Sequence, residues 1–363
     1  MLRHTLATLR QLDEFLRLYQ TGFVAVWPLL GLACVQPWTW RPVVALLVAS
    51  SSFNLFGGIL NDLCDLDSDR LSRDRGDRWL VTGVVSPERA RVIVGLQLPI
   101  ILVTHVVAGF RMPALAWMAT ALAGQAIYDV FGKRSRVPPL AEAAEGIAAG
   151  CLVLYGATCL SDAIGPLAWP TAASGVAFIL LVNAFHGGLR DVEDDLAAGV
   201  RTTPIWLGCT GDRRKVRISR AMSVYAAACL AVLLILSSVI ARAEGAGALT
   251  VTAIGAVVNV ALFLWLHRLR KPAWDVALRI HVGMLMIPVM TAFSARLSAA
   301  SLVMLLTIYV VPVLPIAWRL LRRRSDADEI PARGERQVAA REDAPPGSAR
   351  SHLELGGFVQ EHR

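Results

Sequence analysis

The sequence predicts an all-α membrane protein, a polytopic bundle of nine or ten transmembrane helices, and three observations predict it. Of its 363 residues 55% are hydrophobic and only 18% are charged, whereas a soluble chain of this size carries closer to a quarter charged residues. The mean hydropathy is +0.53. The apolar residues are also clustered, in long runs nearly free of charge that alternate with short segments dense in arginine. Runs of that length match the thickness of a bilayer, where a helix satisfies its own backbone hydrogen bonds. A soluble globular enzyme, a disordered chain and a secreted disulfide scaffold are excluded. The cysteines (Cys34, Cys64, Cys151, Cys159, Cys209 and Cys229) show no CxxC pair and no metal-ligand spacing, and beside apolar runs cysteine behaves as a small hydrophobe.

Taken in order, residues 1–20 read as an amphipathic segment, and the run that follows is long enough to stay in the membrane instead of being a cleavable leader. The expected spans begin near Gly22, Val43, Ile93, Pro113, Leu140, Leu167, Ala221, Ala248, Ile280 and Ala299. Two of these are short or carry charge, hence nine or ten. Basic residues mark alternate loops: Arg70, Arg73, Arg75, Arg78 and Arg89, then Lys133, Arg134 and Arg136, then Arg190, Arg201 and the stretch 213–220. Arg268, Arg270, Lys271 and Arg279 follow, and finally residues 319–324. The opposite loops hold little beyond Arg41, Arg111, Arg242 and Arg296. Basic loops stay cytoplasmic, so both termini are expected in the cytoplasm, with the protein in the cell (inner) membrane. The membrane portion is expected to occupy 21–320, and residues 325–363, polar and of mixed charge, read as a disordered tail. The net charge of +8 is then topological, and no nucleic-acid partner is expected.

The most informative segment is FNLFGGILNDLCDLDSDRLSRDRGDRWLVTG. Asn61, Asp65 and Asp69 are spaced i, i+4, i+8 and fall near one face of a helix continuing from the second span, with Asp62 and Asp67 off that stripe. Carboxylates four apart repel one another unless a cation lies between them. Mg²⁺ prefers such oxygen donors and bridges carboxylates to substrate phosphates. A solvated acidic loop, neutralised by the neighbouring arginines, is the competing reading.

A second cluster ends the sixth span, NAFHGGLRDVEDDLAAGVRTTPIWLG, with Asp191 and Asp195 at i, i+4 and Asn183 and His186 before them. If the two helix ends face each other, they make a carboxylate-lined cleft. The bundle would then enclose a central cavity opening at the cytoplasmic side, suited to a diphosphate held through Mg²⁺ with a lipid chain below it. Elsewhere, Gly146 and Gly150 form a GxxxG pair that reads as helix packing. Asn259 and His281 read as interhelical hydrogen-bonding groups, and Asn54 either lines the cavity or bonds between helices.

These residues together resemble the UbiA superfamily of intramembrane prenyltransferases. The superfamily's NDxxDxxxD motif is matched by Asn61, Asp62, Asp65 and Asp69, and its R-P-L-x-S-G-like segment by Arg78, Trp79, Leu80, Val81, Thr82 and Gly83. Its DxxxD motif with a following G-x-x-T and Leu-Gly is matched by Asp191, Asp195, Gly199, Thr202, Leu207 and Gly208. A Tyr followed by Lys-Arg is matched by Tyr128, Lys133 and Arg134. The resemblance runs from about residue 15 to 320. Trp79 departs from the usual proline, Gly187 stands where many members have an extra Asp, and ten spans would exceed the usual nine.

The resemblance implies that Asn61, Asp65, Asp69, Asp191 and Asp195 hold Mg²⁺ against a prenyl diphosphate. It points to Arg78, Lys133, Arg134 and Arg201 for diphosphate contacts. Catalytic assistance to an aromatic or other small acceptor is expected from Asp62 and Tyr128, beside Arg78 and Lys133 at the leaving group. The implied reaction ionises the allylic diphosphate and transfers the isoprenoid chain. A terpene cyclase of the same superfamily is the alternative, in which the carbocation is quenched internally. A transporter is a remoter one, because its ionisable groups belong near the bilayer midplane and not at helix ends.

Overall fold

The computed structural model describes residues 11–311, apart from 14, 36, 72–74, 77, 212–214 and 271–272, and apart from the side chains of Tyr19, Leu71 and Lys133. The chain divides into two compact units, Met1–Leu314 and Pro315–Arg363. The second unit, which contains the expected tail 325–363, lies outside the described residues, as do residues 1–10 of the expected amphipathic segment.

The first unit is helical. Its long elements are Leu18–Ala33, Trp40–Cys64, Pro87–Ala108, Met112–Phe131, Pro138–Thr158, Ala168–Leu181, Arg220–Glu244, Ala246–Leu266, Ala273–Thr291 and Ala299–Val310. Each of the expected spans has a helix at its position. Among the described residues, seven helices are long and apolar enough to cross a membrane, counting Ala168–Ala197 as continuous. Leu18–Ala33 and Ala299–Val310 are shorter, and Met112–Phe131 carries Gln125 and Asp129 in its last turns. One departure from an all-helical reading is a two-residue antiparallel ladder, Thr210–Gly211 against Val216–Arg217.

Burial sorts the helices into inner and outer sets. The most hydropathic windows of Trp40–Cys64 and Pro138–Thr158 are 67% and 72% buried, whereas those of Pro87–Ala108 and Ala246–Leu266 are 22% and 28% buried. The outer helices therefore expose rows of aliphatic side chains such as Val92, Val103, Val106, Ile254 and Val257. In water such a surface would drive association, but against lipid tails it needs no cover. The chain is a multi-pass membrane protein.

Pro138–Thr158 is the axis of the bundle because its small residues let three neighbours approach. A Cβ on Gly156 would stand 1.9 Å from the Pro28 carbonyl oxygen, and one on Gly31 would stand 1.9 Å from that of Val153. Backbones cross there with no room for any side chain. Gly146 and Gly150 meet Val176 and Ala172 in the same way, at 3.2 and 3.1 Å from the nearest atom, so the GxxxG pair is a packing seam. Asn259 donates across to the Met284 carbonyl at 3.0 Å, and His281 Nδ1 meets His186 Nε2 at 3.0 Å. These polar groups tie helices together, as interhelical bonding requires in a medium without water.

Two irregularities shape one end of the bundle. The Trp40–Cys64 helix stops at Asp65 and restarts as Leu66–Leu71. The Ala168–Leu181 helix widens into a π-helical segment, Val182–Gly187, before continuing as Gly188–Ala197. Both breaks fall beside the acidic clusters, where π-segments are frequent at functional sites.

Candidate active site

The first cluster is built on the end of Trp40–Cys64 and the short Leu66–Leu71 helix. Asp62, Asp65 and Asp69 are all buried, at 6%, 9% and 2% exposure, while the Asp67 side chain is exposed. Asp62 lies off the Asn61 stripe, as expected, yet it is joined to Asp69. Arg78 donates to Asp62 Oδ1 at 3.0 Å and to Asp69 Oδ2 at 2.7 Å. Seven residues span nearly two full helical turns, so Asp62 and Asp69 share a face even though Asp62 lies off the Asn61 stripe. Asp62 also accepts from Arg17, and Arg17 reaches Asn61 Oδ1 at 3.1 Å. Arg17 sits in the left-handed region at φ 48, which is costly for a non-glycine residue. Its carbonyl accepts from Asn54 Nδ2 at 3.1 Å, and the same amide reaches Thr21 Oγ1 at 3.2 Å. Asn54 thus fixes the turn that aims the Arg17 guanidinium at the cluster.

Arg75 joins the two clusters. It donates to Asp69 Oδ1 at 2.8 Å and to Asp191 Oδ2 at 2.9 Å. The two helix ends face each other as the paired motifs imply. Arg190 also holds Asp191, at 2.7 Å. Burial works against the charged form of Arg75, but the Asp191 carboxylate, followed by the hydrogen bond and charge of Asp69, outweighs it and holds the guanidinium above its usual pKa. Charge-assisted bonds of this kind are short and geometrically specific.

A third acidic group lies behind Asn61. Asp129, at the end of Met112–Phe131, accepts from Asn61 Nδ2 at 3.4 Å and from Gln125 Nε2 at 3.1 Å. Glu142 and Glu145 come from the first turns of Pro138–Thr158, and Glu145 accepts from Asn183 of the π-segment. Asp65, Asp129, Glu142 and Glu145 all lie within electrostatic reach of Tyr128. A charged side chain inside a span is costly and functional by default, which is the signal that Asp129, Glu142 and Glu145 carried in the sequence. Arg17 and Arg75 had no such signal, because a positive-inside loop also places arginines there.

The other expected residues are placed as follows. Asp195 is buried at 8% exposure. Arg134 and Arg201 are exposed. Lys133 lies in the 3₁₀ turn Gly132–Arg134, and its side chain is outside the described residues. Trp79 donates its indole N–H to Gln11 Oε1 at 3.0 Å and packs 5.7 Å from the Phe15 ring. It therefore anchors the preceding segment over a small cavity that also touches Asp62, Asp69 and Arg78.

The donor set fits a divalent cation. Asn61, Asp65, Asp69, Asp191 and Asp195 offer oxygen only, the chemistry that Mg²⁺ prefers. A single guanidinium spans Asp69 and Asp191, so these two carboxylates are close enough to share a cation. Among the described residues, no three His, Cys, Asp or Glu side chains stand close enough together to hold a metal ion.

The profile of the UbiA prenyltransferase family matches residues 22–283, most of the chain and both acidic clusters. The chain belongs to that family. Solved UbiA homologs share its fold. One is the apo structure of a UbiA homolog from Aeropyrum pernix K1, with TM-score 0.57 and 19% identity over 77% of this chain and 95% of that one. Another is a UbiA homolog from Archaeoglobus fulgidus bound to GPP and Mg²⁺, with TM-score 0.60 and 16% identity over 78% and 99%. Among curated proteins, a 4-hydroxybenzoate octaprenyltransferase of Polaromonas naphthalenivorans (strain CJ2) is 27% identical over 173 residues. The match spans 47% of this UbiA-family chain and 56% of that relative.

Proposed function

We propose that this UbiA-family protein is an Mg²⁺-dependent intramembrane prenyltransferase of the cell membrane, working at its cytoplasmic face. In this reading it ionises a prenyl diphosphate and transfers the isoprenoid chain to a small, aromatic-type acceptor. The observation that carries the reading is the Asp69–Arg75–Asp191 bridge, which closes the two acidic motifs around one cationic position. The archaeal homolog bound to GPP and Mg²⁺ supports the substrate class, and the curated octaprenyltransferase supports the reaction class.

Mg²⁺ bound to the carboxylates would neutralise the negative charge that grows on the departing diphosphate. The rest is the work of this chain's side chains. Arg75 and Arg78, which hold Asp69 in this structure, are assigned to the diphosphate oxygens. Lys133 is assigned to the same task, with Arg134 and Arg201 at the rim. Asp62, gripped by Arg17 and Arg78, orients both guanidinium groups. Arginine suits this work because its planar fork pairs with two oxygens at once. Asp65 and Asp195 complete the metal set from the two helix ends, and Asn61 links that set to Asp129 behind it. Tyr128, among four carboxylates, is assigned to position the acceptor. Burial of the cluster excludes the water that would otherwise capture the cation.

A terpene-cyclase reading is favoured by one feature. Phe15 and Trp79 line the small cavity beside Asp62 and Asp69, and aromatic rings can stabilise cations. Product analysis separates the two readings. Protein incubated with geranylgeranyl diphosphate and Mg²⁺, without acceptor, should release the linear alcohol slowly. A cyclic hydrocarbon as main product would overturn the transferase.

A further inference from the structure

We propose that Arg17 is a positioning residue of the prenyl-transfer site: it offsets the charge of Asp62, so that Arg78 is left available to the diphosphate. The proposal rests on the prenyl-transfer reading and adds to that site a residue from outside both acidic motifs. Three observations carry it. The first is how firmly Arg17 is placed. Among the described residues it is the one non-glycine residue at positive φ, at 48, a conformation that persists only where its surroundings over-determine it. Its carbonyl accepts from Asn54 Nδ2 at 3.1 Å. Two residues earlier, the Phe15 ring packs 5.7 Å from that of Trp79, which follows Arg78 in the chain.

The second observation is a notch that fits the Arg17 stem. Gly58 lies one turn before Asp62, on the same face of Trp40–Cys64. A Cβ on Gly58 would stand 2.7 Å from Arg17 Cδ and 3.2 Å from its Nε. The guanidinium thus reaches Asn61 and Asp62 by lying against bare helix backbone, and any side chain at 58 would lift it away. The third observation is charge. Arg17 and Asp62 are both largely shielded, with side chains 16% and 8% exposed. Asp62 Oδ1 accepts from Arg17 and, at 3.0 Å, from Arg78, whose same nitrogen reaches Asp69 at 2.7 Å. Among the described ion pairs, Arg78 alone would face Asp62 if Arg17 were neutral, while still serving Asp69. Donors drawn that strongly to carboxylates are poorer partners for phosphate oxygens, because one N–H cannot serve both. Arg17 acts through Asp62, and its bond to Asn61 Oδ1 at 3.1 Å steadies the neighbouring amide as well.

Gly58→Ala is the discriminating variant, because it removes no polar group. Its clash falls on a flexible stem, so the fold is kept and the guanidinium is displaced. The full-length protein is supplied with geranyl diphosphate and saturating Mg²⁺, and KM and kcat are read from geraniol release. Arg17→Gln should raise KM for geranyl diphosphate about tenfold or more, and Gly58→Ala about threefold or more, with kcat changed less than KM in both. In the Arg17→Gln background, Gly58→Ala should add less than about twofold, because the notch serves Arg17. Adding Asp62→Asn to Arg17→Gln should return KM to within about threefold of wild type, since the amide oxygen still accepts from Arg78 but carries no charge. A merely structural role for Arg17 predicts no such recovery. Gly58→Ala with and without Asp62→Asn gives the same comparison where Arg17→Gln lacks wild-type elution and melting temperature. An unchanged KM in the folded variants, or failure of Asp62→Asn to lower a raised one, would overturn the proposal. Absence of geraniol release from the wild-type protein would instead overturn the prenyl-transfer reading beneath it, and the proposal with it.

Discussion

Arg75 is one residue of an arginine-rich loop, yet it holds a carboxylate from each of two motifs separated by more than a hundred residues of chain. Its neighbours Arg73 and Arg78 have the same side chain in the same loop, and nothing in residue type or spacing singles Arg75 out. The aspartates were legible because repeated carboxylates at i, i+4 are unfavourable without a cation. Arginine beside them is equally what membrane topology demands. Lysine cannot reproduce a fork that spans two carboxylates. Arg75→Lys should therefore lower kcat/KM for prenyl diphosphate by about a hundredfold, close to the effect of Arg75→Ala, at two to three kcal/mol of lost transition-state stabilisation. Restoration of more than a third of wild-type kcat/KM by lysine would show that the bridge is not needed. Asp69→Asn and Asp191→Asn should each reduce geraniol release to background in the same assay.

At the scale of the element, the π-segment Val182–Gly187 decides which side chains of the sixth span face the cleft. Its extra residue per turn brings Asn183 to Glu145 and His186 to His281 before the helix resumes at Gly188. Hydrophobic periodicity does not show such a bulge, because it is stabilised by tertiary contacts, and the span was legible only as a continuous run. The two glycines at its end differ. A Cβ on Gly187 meets nothing closer than 3.5 Å, whereas on Gly188 it would stand 2.7 Å from the Pro204 ring. Gly187→Asp should accumulate to wild-type levels. Gly188→Ala should lower stability by about 1–3 kcal/mol through overpacking, read as a drop in detergent melting temperature. The Gly156 crossing is stricter still. Gly156→Leu should prevent accumulation of folded protein, because its side chain would enter the backbone of the Leu18–Ala33 helix.

For the whole molecule, the scarcity of charge is the consequence of the solvent. The outer helices expose aliphatic rows, and their polar side chains, such as Gln97 and Asn259, are buried against the rest of the bundle. A divalent cation held by both motifs would tie together the two helix ends that Arg75 now bridges, so ligand binding should appear as global stability. Mg²⁺ with a non-hydrolysable geranyl diphosphate analogue should raise the melting temperature of the wild-type protein and leave Asp69→Asn unmoved. EDTA should abolish turnover, with full return on adding Mg²⁺; turnover that persists in EDTA would remove the metal from the reaction.

Sequence by itself determined the membrane class, the positions of the spans and the two acidic motifs. Each of these is a local property: a run of apolar residues sets its own transfer free energy, and carboxylates a turn apart declare their own repulsion. Only the tertiary structure decided that Asp62 belongs with Asp69, that Arg75 stands between the motifs, and that Asp129, Glu142 and Glu145 share a wall behind Asn61. Those are relations between helices distant in sequence. They are set by how closely small residues let backbones approach and by where helices break, and no single segment encodes them.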